Sequence, residues 1–295
     1  MKLHFLQKTL QKELYNPQKL CYTAYMIKNT LSVKELFDRD FYYLYTETRN
    51  PKGETCYNTH SHPHHEIMYI SEGSVEYLVE NRRHELKAGD VLLVKPGLMH
   101  VARRIIETPS SRFCIGFHTD SIEYGNLAES LFDKGEHFSI GENSVFAKIA
   151  ALLKTKFEIR DKNFSGFTKR MIESMIISLE EEGLGEEKTP APTDPAFRRI
   201  ISYISSNLVS INTIEDISDN LFFSKSYLGH LFKKETGMGI MEYVRNKKVI
   251  LAHERIVSGE KPTDIYSECG FSNYPSFYRA YRAYFGSSPR NLKNK

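Results

Sequence analysis

The sequence predicts an α+β protein in two parts: an N-terminal β structure followed by a helical pair, and a C-terminal all-α domain with two helix-turn-helix units. Three observations predict it. From about Cys21 to His118 the apolar pattern has a period of two, in short runs rich in aromatic and β-branched residues. From Ser121 to Glu182 the period becomes helical. From Thr213 to Pro289 a helix-turn-helix pattern occurs twice. The expected divisions are 1–120 for the β domain, 121–185 for the helical pair, 186–195 for a linker and 196–295 for the last domain.

Composition narrows the class. At 295 residues, 40% apolar and 26% charged, the chain reads as an ordinary globular protein with room for more than one domain. The net charge of +3 is uneven: from Asp194 onward there are 15 Lys and Arg against 10 acids, and before it 25 against 27. The basic excess sits on the C-terminal part, as contact with a polyanion requires. Cys21, Cys56, Cys114 and Cys269 are far apart and make no metal or redox spacing, so buried free thiols in a reducing compartment are expected. With no signal-peptide core and no long apolar run, a cytoplasmic, soluble protein is expected, with no membrane partner.

Taken in order, residues 1–18 read as a polar helix with Leu3, Leu6, Leu10 and Leu14 on one face. Strands are expected at Phe41–Tyr45, Glu66–Ile70, Val75–Val79, Val91–Val94 and Phe113–Phe117, with Asn81-Arg82 closing a hairpin onto His84–Leu86. Many short strands at close spacing argue for a sandwich or small barrel. Strand tyrosines at 42, 43 and 45 suit a stacked sugar ring, though packing is the commoner use.

Within this region stand His60, His62, His64, His65 and Glu66, then Gly73, Gly89-Asp90, Lys95-Pro-Gly97 and His100. The set resembles the two cupin motifs, so the resemblance implies a cupin-like β-barrel. It departs in a displaced second proline and in Arg104, where an asparagine often stands. Carried over by position, His60, His62, Glu66 and His100 match the four metal positions, with Zn, Ni, Mn or Fe as candidate ions. The other reading makes the same four residues the lining of a small-molecule pocket with no metal. His64 and His65 read as rim or core.

The helical region carries one stripe of Val145, Ile149, Leu152, Leu153 and Phe157 and another of Phe164, Phe167, Met171, Met175, Ile176 and Leu179. The latter stripe is too wide to hide easily on a small barrel, so dimerisation through this pair is expected, against the alternative that both stripes simply cover the barrel. Residues 186–195, with three prolines, read as an exposed, semi-extended linker. Phe197, Ile200, Ile201, Ile204 and Leu208 then mark a helix.

Thr213 and Asp216 form a helix-start signal, with Ile214, Ile217 and Leu221 at helical spacing. Ser224 caps a second helix whose Leu228, Leu231 and Phe232 face inward, and Gly237 ends it. Its other face shows Lys225, Ser226, Tyr227, His230, Lys233 and Lys234. Ile240 to Val257 has no breaker and reads as one long helix. The repeat opens at Pro262, turns at Gly270, takes Ser272 or Asn273 as a cap, and carries Phe277, Ala280, Tyr281 and Phe285 inward. Gly286 and Pro289 stop it.

This stretch resembles the DNA-binding domain of the AraC/XylS family of bacterial regulators. The resemblance rests on Ser224–Leu228, Leu231–Gly237, Glu242-Tyr243, Gly270–Ser272, Phe277 and Tyr284–Pro289. Phe222 departs where the turn usually has glycine, Lys248 where the linker helix usually has arginine, and Tyr266 where a small residue is usual. The resemblance implies that the two second helices enter successive major grooves, ~34 Å apart. Carried over, the base-edge candidates are Ser226, His230, Tyr274, Tyr278 and Arg279, and Lys225, Lys233, Lys234 and Arg282 are phosphate partners. It implies a non-enzymatic, ligand-responsive regulator, foremost an activator of sugar or metabolite genes, with repression as the alternative output. Double-stranded DNA, a small-molecule effector, a second copy and RNA polymerase are the implied partners. The alternatives are a metal-dependent cupin enzyme or metal sensor fused to DNA-binding helices, and a constitutive DNA binder with a filled barrel.

Overall fold

The computed structural model describes residues 31–37, 41–48, 59–103, 109–159, 164–185, 187–191 and 193–289. The helix expected over 1–18, Cys21, Cys56 and Arg104 lie outside the described residues. The chain divides at residue 193 into two compact units.

The first unit holds two sheets. The strands are β1 (Leu31–Phe37), β2 (Phe41–Thr48), β3 (His65–Glu72), β4 (Ser74–Val79), β5 (Arg82–Lys87), β6 (Asp90–Val94), β7 (His100–Arg103), β8 (Ser110–Phe117) and β9 (His137–Ser139). The larger sheet runs β1-β2-β8-β3-β6-β9 and the smaller β5-β4-β7. Gly73 makes the corner from one sheet to the other at φ +74°. A Cβ there would come within 2.2 Å of the Pro109 carbonyl oxygen, so the turn accepts only glycine. The β4–β5 hairpin closes through Glu80 and Asn81, one residue earlier than predicted: Val79 pairs with Arg82, and Glu80 takes the left-handed conformation.

The predicted barrel is not closed. Closure would need the edge strands of the two sheets to pair. Instead β9 and β5 each meet the segment 187–191, through the bridges Phe138–Glu187 and Arg83–Ala191. The first half of the predicted linker is therefore not a free spacer. The Lys188 amide donates to the His137 carbonyl, the Ala191 amide donates to the Arg83 carbonyl, and Lys188 Nζ reaches both carboxylate oxygens of Asp90 at 2.6 and 2.8 Å. Three prolines signal an extended strand-like path, and they do not say whether it lies in solvent or along an edge.

Alternation along β8 sets the layers. Phe113, Ile115 and Phe117 enter an apolar core with Tyr45, Ile67, Tyr69, Val91 and Leu93. Arg112 and Cys114 are buried on the opposite face, where the Arg112 guanidinium lies 5.6 Å from the ring of Tyr77 on β4. Helices cover the first face: α1 (Gly125–Asp133), α2 (Val145–Ile159) and α3 (Phe164–Glu181). On α3 the wide stripe is buried. Ile172, Met175, Ile176 and Leu179 enter the core and Phe167 and Met171 pack against it, because a six-stranded sheet offers more area than a small barrel. On α2 the inward face is Phe146, Ala147, Ala150 and Leu153, which turns Val145 and Leu152 outward at 42% and 43% exposed. Two small alanines at the contact shift the face from the one the larger side chains suggest. The side chains of Phe157 and Phe164 lie outside the described set.

The second unit is all helical: α4 (Pro195–Asn207), α5 (Ile214–Leu221), α6 (Lys225–Thr236), α7 (Ile240–Val257), α8 (Pro262–Ile265) and α9 (Tyr274–Phe285). Its starts are chemically marked. Asp194 accepts from the Ala196 and Phe197 amides, Thr213 and Asp216 form a capping box, Ser224 accepts from Tyr227 and Asn273 from Ser276. Phe197, Ile200, Ile201 and Ile204 of α4 are buried together with Ile217, Leu228 and Phe232. A separate cluster joins Val249, Ala252 and Ile256 of α7 to Ile265, Cys269, Phe271, Phe277 and Tyr281. The central helix α7 contacts α6 as well as α8 and α9.

Candidate functional site

The helix-turn-helix units present two polar faces. On α6, Leu228, Leu231 and Phe232 are buried, which by helical periodicity leaves Lys225, Ser226, Tyr227, His230, Lys233 and Lys234 exposed. Lys225 is already ion-paired with Glu215 on α5, so a phosphate must compete for it. Lys233 and Lys234 occupy the last turn, where the helix dipole favours cations. On α9, Arg279 and Arg282 are exposed and Tyr278 is half-buried. Arg279 is held lightly, by a 3.2 Å hydrogen bond donated to Ser276 Oγ. Tyr274 is turned inward. Its ring contacts Tyr266, Phe277 and Tyr278, and its hydroxyl is buried without a hydrogen-bond partner. Tyr266 and Tyr274 meet edge to face at 5.8 Å, so the bulky residue at 266 is accommodated by recruiting Tyr274 to the core.

The turn between α5 and α6 holds the sharpest local departure. Phe222 adopts φ +57° and ψ +36°, the left-handed conformation that suits glycine, with 91% of its surface exposed. Phe223 beside it tilts against Tyr227 at 5.2 Å and lies under the Arg199 guanidinium. Arg198, Arg199, Tyr203 and Leu221 border an open groove of about 650 Å³ on this unit. Sequence reasoning missed Arg198 and Arg199. The signal was present in the paired basic residues on the polar side of the Phe197–Ile204 stripe.

In the first unit the four residues matched to cupin positions are brought together. His60 and His100 form an isolated antiparallel bridge, each amide donating to the other's carbonyl, at 3.0 and 2.8 Å. His62, Glu66 and His100 are buried and His60 is half-buried. The imidazole nitrogens of His60, His62 and His100 lie within 4.8 Å of one another. Glu66 Oε2 is 3.3 Å from His62 Nε2 and 3.1 Å from His100 Nε2. His64 is buried and stacked on His62 at 3.9 Å, and His65 sits against Phe132, so both are packing residues as expected. Of the strand tyrosines, Tyr45 is buried in the helix-side core and the side chains of Tyr42 and Tyr43 lie outside the described set.

The tautomers follow from the acceptors. His62 Nδ1 lies 3.0 Å from the His64 carbonyl oxygen and His100 Nδ1 3.0 Å from that of Leu98. A carbonyl only accepts, so both Nδ1 atoms carry the proton and both Nε2 atoms are basic when the rings are neutral. Two basic nitrogens and a carboxylate oxygen then converge. That is a repulsive set unless the rings are cationic or a cation lies among them. Burial alone would push the Glu66 carboxyl up; the charge of His62 and the contacts with His100 and His62 hold it well below the usual range. Donors that share one ion at ~2.0–2.2 Å stand roughly 3 to 3.5 Å from each other; Glu66–His62 and Glu66–His100 match this as placed, and the three imidazoles, spread over 4.8 Å, would have to close in to share a divalent cation. His60, His62, Glu66 and His100 are the residues that would hold it.

Comparison with known proteins places both units. The model described as "AraC-like ligand binding domain" matches residues 42–163, and the model described as "Helix-turn-helix domain" matches residues 217–295. The "Msm operon regulatory protein" of Streptococcus mutans is 23% identical over 236 residues, covering 78% of this chain and 84% of that protein. The "Multiple antibiotic resistance protein MarA" of Escherichia coli is 28% identical over 95 residues, 32% of this chain and 75% of that protein. The crystal structure of ToxT from Vibrio cholerae covers 86% of this chain and 98% of that one, at 14% identity and a TM-score of 0.35.

Proposed function

We propose that this chain, which belongs to the AraC/XylS family of transcription regulators, reads DNA with both helix-turn-helix units and answers to a ligand bound in its N-terminal unit. The observation that carries the reading is the duplicated helix-turn-helix, whose two second helices are both capped by side chains and present outward polar faces, one on α6 and one on α9. Ser226, His230, Tyr278 and Arg279 meet base edges, and Lys233, Lys234 and Arg282 meet phosphates. Lys225 and Tyr227 lie at the near edge of the first face. Tyr274 contributes by positioning Tyr278 rather than through its buried hydroxyl.

The effector site is His60, His62, Glu66 and His100. A divalent cation there supplies a positive charge for an oxygen-bearing small molecule. The proposed organisation is a cupin-like sensor over 1–120, helices over 121–185, a connection over 186–195 whose residues 187–191 line the first unit's sheet edges, and the DNA-binding domain over 196–295. Ligand acts by favouring one state of the regulator, which requires unequal affinity for the two states. Activation of metabolite genes with RNA polymerase as partner, and a homodimer through α2, complete the reading. For the dimer, the support is the outward Val145 and Leu152. A relative over most of the chain is named as an operon regulatory protein, which favours a sensor over a metal-dependent enzyme. Among the described residues no helix is long and apolar enough to cross a membrane.

The test is selection of double-stranded DNA from a random library by the full chain, with metal analysis of the same sample. Enrichment of a sequence carrying two boxes one helical turn apart supports the reading, and no enrichment at low salt removes it. Stoichiometric metal lost in H62A and H100A assigns the site. Metal that survives both changes places it elsewhere.

A further inference from the structure

Lys248 lies in the middle of α7 and is 5% exposed. A buried lysine demands partners. Its Nζ donates to the Ile211 carbonyl at 2.6 Å and to the Gly270 carbonyl at 2.9 Å. These acceptors belong to different halves of the unit. Ile211 lies in the loop that leads into α5, and Asp216 caps that same loop by accepting from the Asn212 and Thr213 amides. Gly270 is the turn of the second helix-turn-helix, at φ +82°.

The two halves also touch directly at this point. A Cβ on Gly270 would come within 2.5 Å of the Val209 carbonyl oxygen and 2.8 Å of Lys248 Cε and Nζ. Backbone from before the first unit, the middle of α7 and the turn of the second unit therefore converge on one ammonium group. An ammonium with three donors suits this place, since carbonyls arriving from two directions need a point charge rather than a planar fork. The charged group facing Lys248 is Asp216, whose carboxylate is itself held by two backbone amides.

We propose that Lys248 is the positioning residue that sets the distance and angle between the two recognition helices, and so the spacing between the two DNA boxes that the protein accepts. The inference rests on the DNA-binding reading above and goes beyond it. Lys248 touches no DNA. It acts by joining the Ile211 loop to the Gly270 turn. Two linked modules gain avidity only when both boxes are reached together, so a loosened joint loses spacing preference before it loses box recognition.

The experiment uses the full chain and the DNA enriched by the wild type. Binding is measured to the selected two-box duplex, to duplexes with one base pair added or removed between the boxes, and to each box alone. The variants are K248M, K248Q and K248R, with folding checked by circular dichroism, and G270A as an independent strain on the same joint. The expected result for K248M and K248Q is single-box affinity near that of the wild type with the spacing preference flattened about tenfold. K248R, which keeps the donors, retains at least part of that preference, and G270A shifts it. The proposal is overturned if K248M and K248Q keep the wild-type ratio between spacings. It is equally overturned if they weaken single boxes and two-box DNA by the same factor, which is the mark of a role in stability alone. A wild type that enriches no DNA removes the DNA-binding reading itself, and this one with it.

Discussion

Replacing Phe222 with glycine should stabilise the DNA-binding unit, although it deletes a large apolar side chain. Phe222 sits in the left-handed region at φ +57°, where a non-glycine residue carries a penalty of ~1–2 kcal/mol. Its side chain is 91% exposed, so little burial is lost. The hydrogen bond made at this position comes from the backbone, Phe222 N–H to the Ser218 carbonyl, and glycine keeps it. Against the gain stands the extra freedom of glycine in the unfolded chain, roughly 0.5–1 kcal/mol. The net is a stabilisation on the order of 0.5–1 kcal/mol. For a unit of this size each kcal/mol moves the midpoint by ~4–8 °C, so a rise of about 2–8 °C is expected. Differential scanning calorimetry of the full chain reads it, with F222A as a control that removes the ring and leaves the strain. A midpoint for F222G at or below wild type would refute the reasoning, and would mean that the ring has a contact its exposure does not suggest.

Further measurements test other parts. R279A should relax base preference at one position by ~1–3 kcal/mol, whereas K233A should weaken all sequences alike and reduce the salt slope by about one; equal behaviour of the two variants would dissolve the distinction between reading and holding. Burial of Asp90 raises its pKa, but hydrogen bonds from His137, Lys188 and the Lys87 amide win and hold the carboxyl well below the usual range. Its contribution is therefore present above the unfolded value of ~3.9 and is lost as pH falls through the folded value. D90N should lower the urea midpoint at pH 7 and narrow the gap between pH 7 and pH 3; an unchanged gap would place the acid sensitivity elsewhere. Leu152 on α2 is 43% exposed, so L152E should convert a dimer to a monomer in sedimentation without loss of helicity if α2 is the contact.

What the sequence determined by itself is local. Helix starts and stops at Thr213, Ser224, Gly237, Pro262 and Gly286 are covalent chemistry: a hydroxyl near orphan amides, a ring that fixes φ, a missing Cβ. The outward faces of α6 and α9 follow from a period, and the His60, His62, Glu66 and His100 set follows from spacing and resemblance. Tertiary structure decided what depends on a partner far away in the chain. Alanines at 147 and 150 let α2 approach the sheet and rotate Val145 and Leu152 outward, which no stripe of large residues reveals. Residues 187–191 found two free sheet edges, so an apparent linker became part of the first unit and the barrel stayed unclosed. Tyr274 went inward because Tyr266 needed a neighbour. In the sequence Lys248 stands out only as a departure from the arginine usual in the linker helix. Only the meeting of the Ile211 and Gly270 carbonyls, from opposite ends of the unit, makes burying its charge favourable.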